Sequence, residues 1–273
     1  MIALKNLLKL LLPPILFELR RNKDIVGSYL NYADALNASN STGYSVGSYD
    51  LVNYVKNLRN QKTPNIWAWT SVTCLLIAAT RQLRNVLGKK PSMRVIDWGG
   101  GYGETFFQFS KLLLSISFNV EWNIVELADK VAIGKKEFET DVLRFYEKID
   151  AISDPSSCVL LLGGVLQYLS DPYALIKELL HYKNEFVAID RTPMVTDARR
   201  GFECFHVQRI PTYLGGSSHP LRVLNYDMVQ DIFLAAGYEL LAQHDYGPFP
   251  RGYSKGHYYA QVWHRTICGG EPS

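Results

Sequence analysis

The sequence contains no C-x-x-C pair. Cys74, Cys158, Cys204 and Cys268 are scattered singly, which argues against a zinc site and suits reduced, buried thiols in a cytoplasmic setting. There is no Gly-Lys-Ser/Thr triplet, so a P-loop is excluded. There is no Lys/Arg-rich run, and a net charge of +3 over 273 residues gives no nucleic-acid footprint. No apolar run reaches the roughly 20 residues of a transmembrane helix. No small-residue cleavage site follows the leucine-rich start, so a secretion signal fits poorly. No internal repeat is visible. A hydrophobic content of 47% with 12% aromatics is instead that of a globular chain able to bury a core. The length suits one large α/β domain with an N-terminal appendage.

That appendage begins with Leu4, Leu7, Leu8, Leu11 and Leu12 at helical spacing, with Lys5 and Lys9 set between them. Pro13-Pro14 interrupts, and Arg20, Arg21 and Lys23 follow. Two readings stand for residues 2–23. One is a pair of short helices packed on the domain. The other is an amphipathic anchor lying on the cytoplasmic membrane face. Helices expected over 48–60 and 67–87 form a cap ahead of residue 91.

The chain is organised around Met93 to Glu104. Val95-Ile96 leads into a single acid, Asp97, and glycines follow at alternate positions, Gly99, Gly101 and Gly103. Phe106, Phe107, Phe109, Leu112 and Leu113 then take up a helical pattern, so the segment reads as strand, tight turn, helix. The dinucleotide fingerprint needs a third glycine where Glu104 stands. An acid at the strand end also suits an ammonium-bearing ligand better than a phosphate.

A second strand, 120–125, ends at Glu126, about 20 residues beyond the glycines, the interval at which nucleotide folds place a carboxylate on ribose hydroxyls. Cys158 to Leu162 is a buried strand running into Gly163-Gly164, and Ser170 or Asp171 can cap the helix that starts at Pro172. A further strand, 185–190, ends at Asp190. A helix over 225–236 and two closing strands, 238–243 and 258–263, complete an alternating pattern. That pattern gives an α/β doubly wound, Rossmann-like sheet.

The D-x-G-x-G-x-G run resembles motif I of the class I S-adenosylmethionine-dependent methyltransferases. Four further pieces are similar, as a set, to bacterial methyltransferases associated with lipopolysaccharide and surface-polysaccharide gene clusters. They are Trp-Asn-Ile-Val-Glu at 122–126, Gly-Val-Leu-Gln-Tyr-Leu-Ser-Asp-Pro at 164–172, Asp-Arg-Thr-Pro at 190–193 and Val-Gln-Arg-Ile-Pro at 207–211. Where that group commonly shows Ser-Tyr-Pro, this chain has Ser218-His219-Pro220.

The resemblance implies S-adenosylmethionine as cofactor and a seven-stranded sheet of order 3-2-1-4-5-7-6 with the last strand antiparallel. It implies a cofactor-binding domain over 91–267. Cofactor contacts are expected from Asp97, Gly99, Gly101, Tyr102, Gly103, Glu126, Leu127, Gly163 and Gly164. The implied acceptor is a sugar or lipid-linked glycan. Gln167, Tyr168 and Gln208 are candidates to hydrogen-bond it. A sugar hydroxyl is a weak nucleophile until its proton is taken. His206 and Asp190 are the candidate bases, and Arg191 can pair with Asp190 to shape the acceptor pocket. A non-catalytic cofactor-binding partner in a glycan assembly complex and an aminopropyltransferase remain alternatives.

Overall fold

A computed structural model describes residues 24–40, 49–61, 69–84, 92–115, 119–156, 159–196, 203–210, 217–249 and 256–266. The leucine-rich residues 2–23 lie outside the described residues. In chain order the first elements are β1 (Ile25–Tyr29), α1 (Tyr32–Ala38), α2 (Tyr49–Asn60), α3 (Trp69–Arg84), β2 (Ser92–Trp98) and α4 (Glu104–Ser115). Next come β3 (Asn119–Val125), α5 (Ala128–Glu137), β4 (Leu143–Tyr146), β5 (Val159–Gly163), α6 (Pro172–Leu180) and β6 (Phe186–Val195). The chain closes with β7 (Cys204–Arg209), β8 (Ser218–Asn225), α7 (Tyr226–Ala235), β9 (Tyr238–Pro248) and β10 (Gly256–Arg265).

Strands β4, β3, β2, β5 and β6 pair in parallel in that order. Successive side chains along a strand point to opposite faces, and this sheet is apolar on both. Val95, Leu161, Ala188 and Val262 join a core with Leu75 of α3, Phe109 of α4 and Val131 of α5. Their neighbours Ile96, Leu160, Val187 and Trp263 join a second core with Ile176 of α6 and Phe233 of α7. Both faces are therefore covered, as a doubly wound sheet requires. The segment expected as a cap supplies part of the first layer, since Cys74, Leu75 and Ala78 of α3 are buried in it. Asp171 caps α6 by accepting from the Ala174 N–H at 3.0 Å, with Pro172 in the first turn.

The expected strand count is corrected. Among the described residues the sheet has ten strands, and its order differs from the implied one because it forks at β6. Antiparallel β10 runs along the length of β6 and carries antiparallel β9 at its outer edge. On the other edge of β6, β5 pairs with Phe186 to Asp190, and β8 takes over in parallel at Met194 and Val195. Strands β7 and β1 then follow, each antiparallel to its neighbour. The extra strands were hidden for a physical reason. All eight residues of β8 are buried, so Ser218-His-Pro-Leu-Arg-Val-Leu-Asn has no inside–outside alternation to detect. In β1, five residues with a glycine in the middle carry little strand signal.

Candidate functional site

The parallel strands β2, β3 and β5 end on one rim, the place where open α/β sheets bind ligands. Beyond β2 the chain turns through Gly99 (φ +70°), Gly101 (φ +60°) and Gly103 (φ +95°) into α4. The Gly99 N–H donates to the Val125 carbonyl at 2.8 Å, which fastens the turn to the end of β3. A Cβ at residue 100 would stand 2.5 Å from Asp97 Cγ, and one at residue 101 would stand 2.6 Å from Glu104 Oε2. The turn is thus bare backbone because two carboxyl groups lie directly against it. A cavity of about 360 Å³ opens above it.

Three acids line this cavity: Asp97, Glu104 and Glu126. Asp97 is 2% exposed and accepts from the Trp122 indole N–H at 3.3 Å. Burial pushes its pKa up to about 7; the indole bond pulls it down, the Glu104 charge pushes it up, and Arg191 pulls it back. Glu104 is raised as well, chiefly by burial, although it accepts from the Tyr102 N–H at 3.0 Å. Glu126 is held on both oxygens. Its Oε1 accepts from Lys130 Nζ at 3.0 Å and from the Gly101 N–H at 3.3 Å, and its Oε2 from the Leu127 N–H at 2.8 Å.

The opposite wall is built from the end of β5 and from β6 and β7. The Gly164 N–H donates to the Asp190 carbonyl at 2.8 Å, and a single 3-10 turn, Leu166–Tyr168, follows. Gln167 is 4% exposed. Its amide N–H donates to the Gly164 carbonyl at 3.1 Å, and its buried Oε1 has no hydrogen-bond partner among the described residues. The Tyr168 hydroxyl donates to Gln208 Oε1 at 2.6 Å, which joins this turn to β7. Arg191 lies where β5 has ended and β8 has not begun. It holds a left-handed backbone at φ +51°, rare for a residue with a side chain, and donates to the Gly163 carbonyl at 3.2 Å.

Of the residues expected from sequence, Asp97, Gly99, Gly101, Glu126, Gly163, Gly164, Gln167, Tyr168, Arg191 and Gln208 all meet at this cavity. Others do not line it. The Tyr102 ring packs in the core against Phe138 at 5.7 Å, so only its backbone serves the turn. A Cβ at Gly103 would face Leu143 and Ile124, on the core side. Leu127 points outward at 48% exposure and offers its N–H to Glu126. Asp190 is fully buried behind the wall, where Ser71 and Tyr246 donate to its two oxygens at 3.2 and 2.9 Å. Its nearest Arg191 nitrogen is 4.0 Å away. His206 is also fully buried, with Nδ1 2.7 Å from the Gly27 carbonyl and its ring 5.4 Å from Phe249. Burial lowers its pKa.

Sequence reading missed Leu51, Gly100, Glu104, Thr105, Lys130 and Tyr258, which complete the lining. Glu104 had a visible signal, an acid directly after the last glycine of the turn. Lys130 had a weaker one, four residues after Glu126 on a helix, the spacing of an ion pair.

No protein-family model and no curated protein matches the sequence. Solved structures overlap it loosely. An S-adenosylmethionine-dependent methyltransferase from Clostridium acetobutylicum is similar at 7% identity, over 79% of this chain and 98% of that one, with a TM-score of 0.46. One from Methanosarcina mazei is similar at 11% identity, over 68% and 97%, with a TM-score of 0.44. An amino pentose methyltransferase of calicheamicin biosynthesis from Micromonospora echinaspora gives 12% identity, 82% and 100%, and a TM-score of 0.44. With overlaps this loose, what the cavity can bind follows from its own side chains.

Proposed function

We infer that this chain is an S-adenosylmethionine-dependent methyltransferase that methylates a hydroxyl of a sugar, as part of a bacterial surface glycan. The observation that carries the reading is Asp97. A carboxyl group almost without solvent, beside a backbone-only turn and 3.3 Å from one indole N–H, calls for a cation to complete it. The cofactor's ammonium and sulfonium groups supply that charge, and its methyl is already activated for transfer. Glu126, at the end of the next strand, stands where ribose hydroxyls are usually held.

The chain's own work is then binding, alignment and exclusion of water. Gln167 cannot turn its amide freely, because its N–H is engaged by Gly164, so Oε1 accepts a hydrogen bond from the acceptor. Arg191 and the Tyr168–Gln208 pair present further polar groups along the same wall. An amide, phenol and guanidinium lining of this kind suits a polyhydroxylated acceptor. Bound here, the cofactor would supply its methyl carbon to the acceptor oxygen and keep the electron pair of the broken carbon–sulfur bond on sulfur. The hydroxyl proton leaves to solvent or to a group on this wall.

The direct test is calorimetry with S-adenosylmethionine, followed by mass spectrometry of surface glycan from a strain lacking the gene. Binding together with loss of one methyl from the glycan supports the reading. Absence of binding defeats it, and binding with an unchanged glycan defeats the acceptor assignment.

The position of His206 gives a separate expectation. His206→Ala leaves the Gly27 carbonyl without its ring partner and opens a hole beside Phe249, so it is expected to destabilise the fold by about 2–4 kcal/mol. Turnover per folded molecule should stay within about threefold, against the 10²–10⁴-fold loss typical of a missing general base. Urea denaturation read beside single-turnover rates separates the two effects.

A further inference from the structure

We propose that Glu104 makes the cavity discriminate by charge, so that it selects a cationic ligand over a neutral one of the same shape. The proposal rests on the cofactor reading above and goes one step further. It concerns how the site tells the methylated cofactor from its demethylated product, which differ by one methyl group and one positive charge.

The geometry sets Glu104 apart from the other two acids. Glu126 already has a cation, Lys130, at 3.0 Å, with both side chains buried. Asp97 has the indole N–H of Trp122. Glu104 makes no ion pair among the described residues, and its carboxyl accepts from the Tyr102 backbone N–H. It also lies on the ligand side of the glycine turn, since a Cβ at residue 101 would meet its Oε2 at 2.6 Å. Glu104 stands close enough to Asp97 for its charge to raise that carboxyl's pKa, so the two acids bear on the same part of the cavity. In a buried cavity such charges act at a low effective dielectric, so they are screened far less than surface acids.

A second observation points to a ligand independently of the acids. Gln167 Oε1, on the opposite wall, is buried and unpartnered among the described residues. It is a second acceptor for a group that donates hydrogen bonds or carries positive charge. Methyl transfer removes the positive charge that the Glu104 and Asp97 carboxylates stabilise, so the product is held less firmly than the cofactor.

The test is calorimetry on the full chain with three ligands. They are S-adenosylmethionine, the neutral S-adenosylhomocysteine, and sinefungin, which carries an amine in place of the sulfonium. The wild-type protein is expected to bind both cationic ligands at least about tenfold more tightly than the neutral one. Glu104→Gln, which keeps the acceptor for the Tyr102 N–H, should cut that ratio about fivefold or more. The change should come from the cationic ligands, with S-adenosylhomocysteine affinity within about twofold. Glu104→Asp keeps the charge and should keep most of the ratio. An unchanged ratio in Glu104→Gln overturns the proposal, and so does a wild-type preference for the neutral ligand. Absence of binding of all three by the wild type overturns the cofactor reading itself, which is a different result. Where Glu104→Gln folds poorly, Glu104→Asp and the wild type remain readable, and a wild-type ratio near one still overturns the proposal.

Discussion

Gly101→Val is expected to abolish S-adenosylmethionine binding, with a loss of at least about a hundredfold. Two effects act together. Residue 101 holds φ at +60°, a region that a β-branched side chain tolerates badly, at about 1–3 kcal/mol. A Cβ there would also stand 2.6 Å from Glu104 Oε2, so the added methyl groups fill the surface on which the ligand would lie. The Glu104 side chain can swing aside, but it lines the cavity the ligand would fill. The Gly101 N–H would shift too, and with it a donor to Glu126. Calorimetry on a variant whose circular dichroism and melting profile match the wild type would test this. Retained affinity in such a variant would falsify the placement of the cofactor on this turn.

The second large effect concerns Asp97 and pH. Its pKa in the free protein is raised to about 7. A cationic ligand needs the ionised form, so binding expels the proton. Apparent affinity should therefore rise with pH, by up to about tenfold per unit below 7, and flatten above about 8. Asp97→Asn should remove most of that slope and weaken binding at pH 8 by roughly 10–100-fold, the worth of charge-assisted bonds.

Stability should move in the opposite direction. The folded pKa lies above the unfolded one, so the native state holds a proton that the unfolded chain has released. The contribution of Asp97 to stability is therefore present at low pH and lost as pH rises from about 4 to about 7. In the absence of ligand, Asp97→Asn should resist urea better than the wild type at pH 8 and about equally at pH 4. A wild-type protein whose affinity is flat from pH 5.5 to 8 would rule out Asp97 as the cation's partner.

Much of the site was legible because its residues stand at strand ends, and strand ends were marked by abrupt chemistry. Val95-Ile96 followed by Asp97 and glycines, Val125 followed by Glu126, and Leu162 followed by Gly163-Gly164 each change from apolar to polar or bare backbone within one step. These edges needed no knowledge of partners. His206, Asp190 and Lys130 are of another kind. His206 looks available in sequence because it is a histidine in a short strand; only the pairing of β1 with β7 brings the Gly27 carbonyl to it. Asp190 carries the strand-end signal as well, but Ser71 from α3 and Tyr246 from β9 reach it from 119 and 56 residues away. Lys130 reads as a solvent-facing helix lysine until Glu126 is seen to draw it inward. Long-range pairing decided each of these, and local pattern does not encode it.

The junction between β6 and β8 has a consequence for how this protein can change over time. Among the described residues only Met194 and Val195 of β6 pair across it, and beyond it lie β8, β7 and β1. Gln208 comes from that outer group, whereas Asp97, Glu104 and Glu126 belong to the inner strands and their turns. The cavity is thus lined from both sides of a junction whose strand pairing is two residues long, and the Tyr168–Gln208 hydrogen bond spans it. Substitutions accumulating in the outer block would alter the wall at Gln208 while leaving Asp97, Glu104 and Glu126 on their own strands and turns.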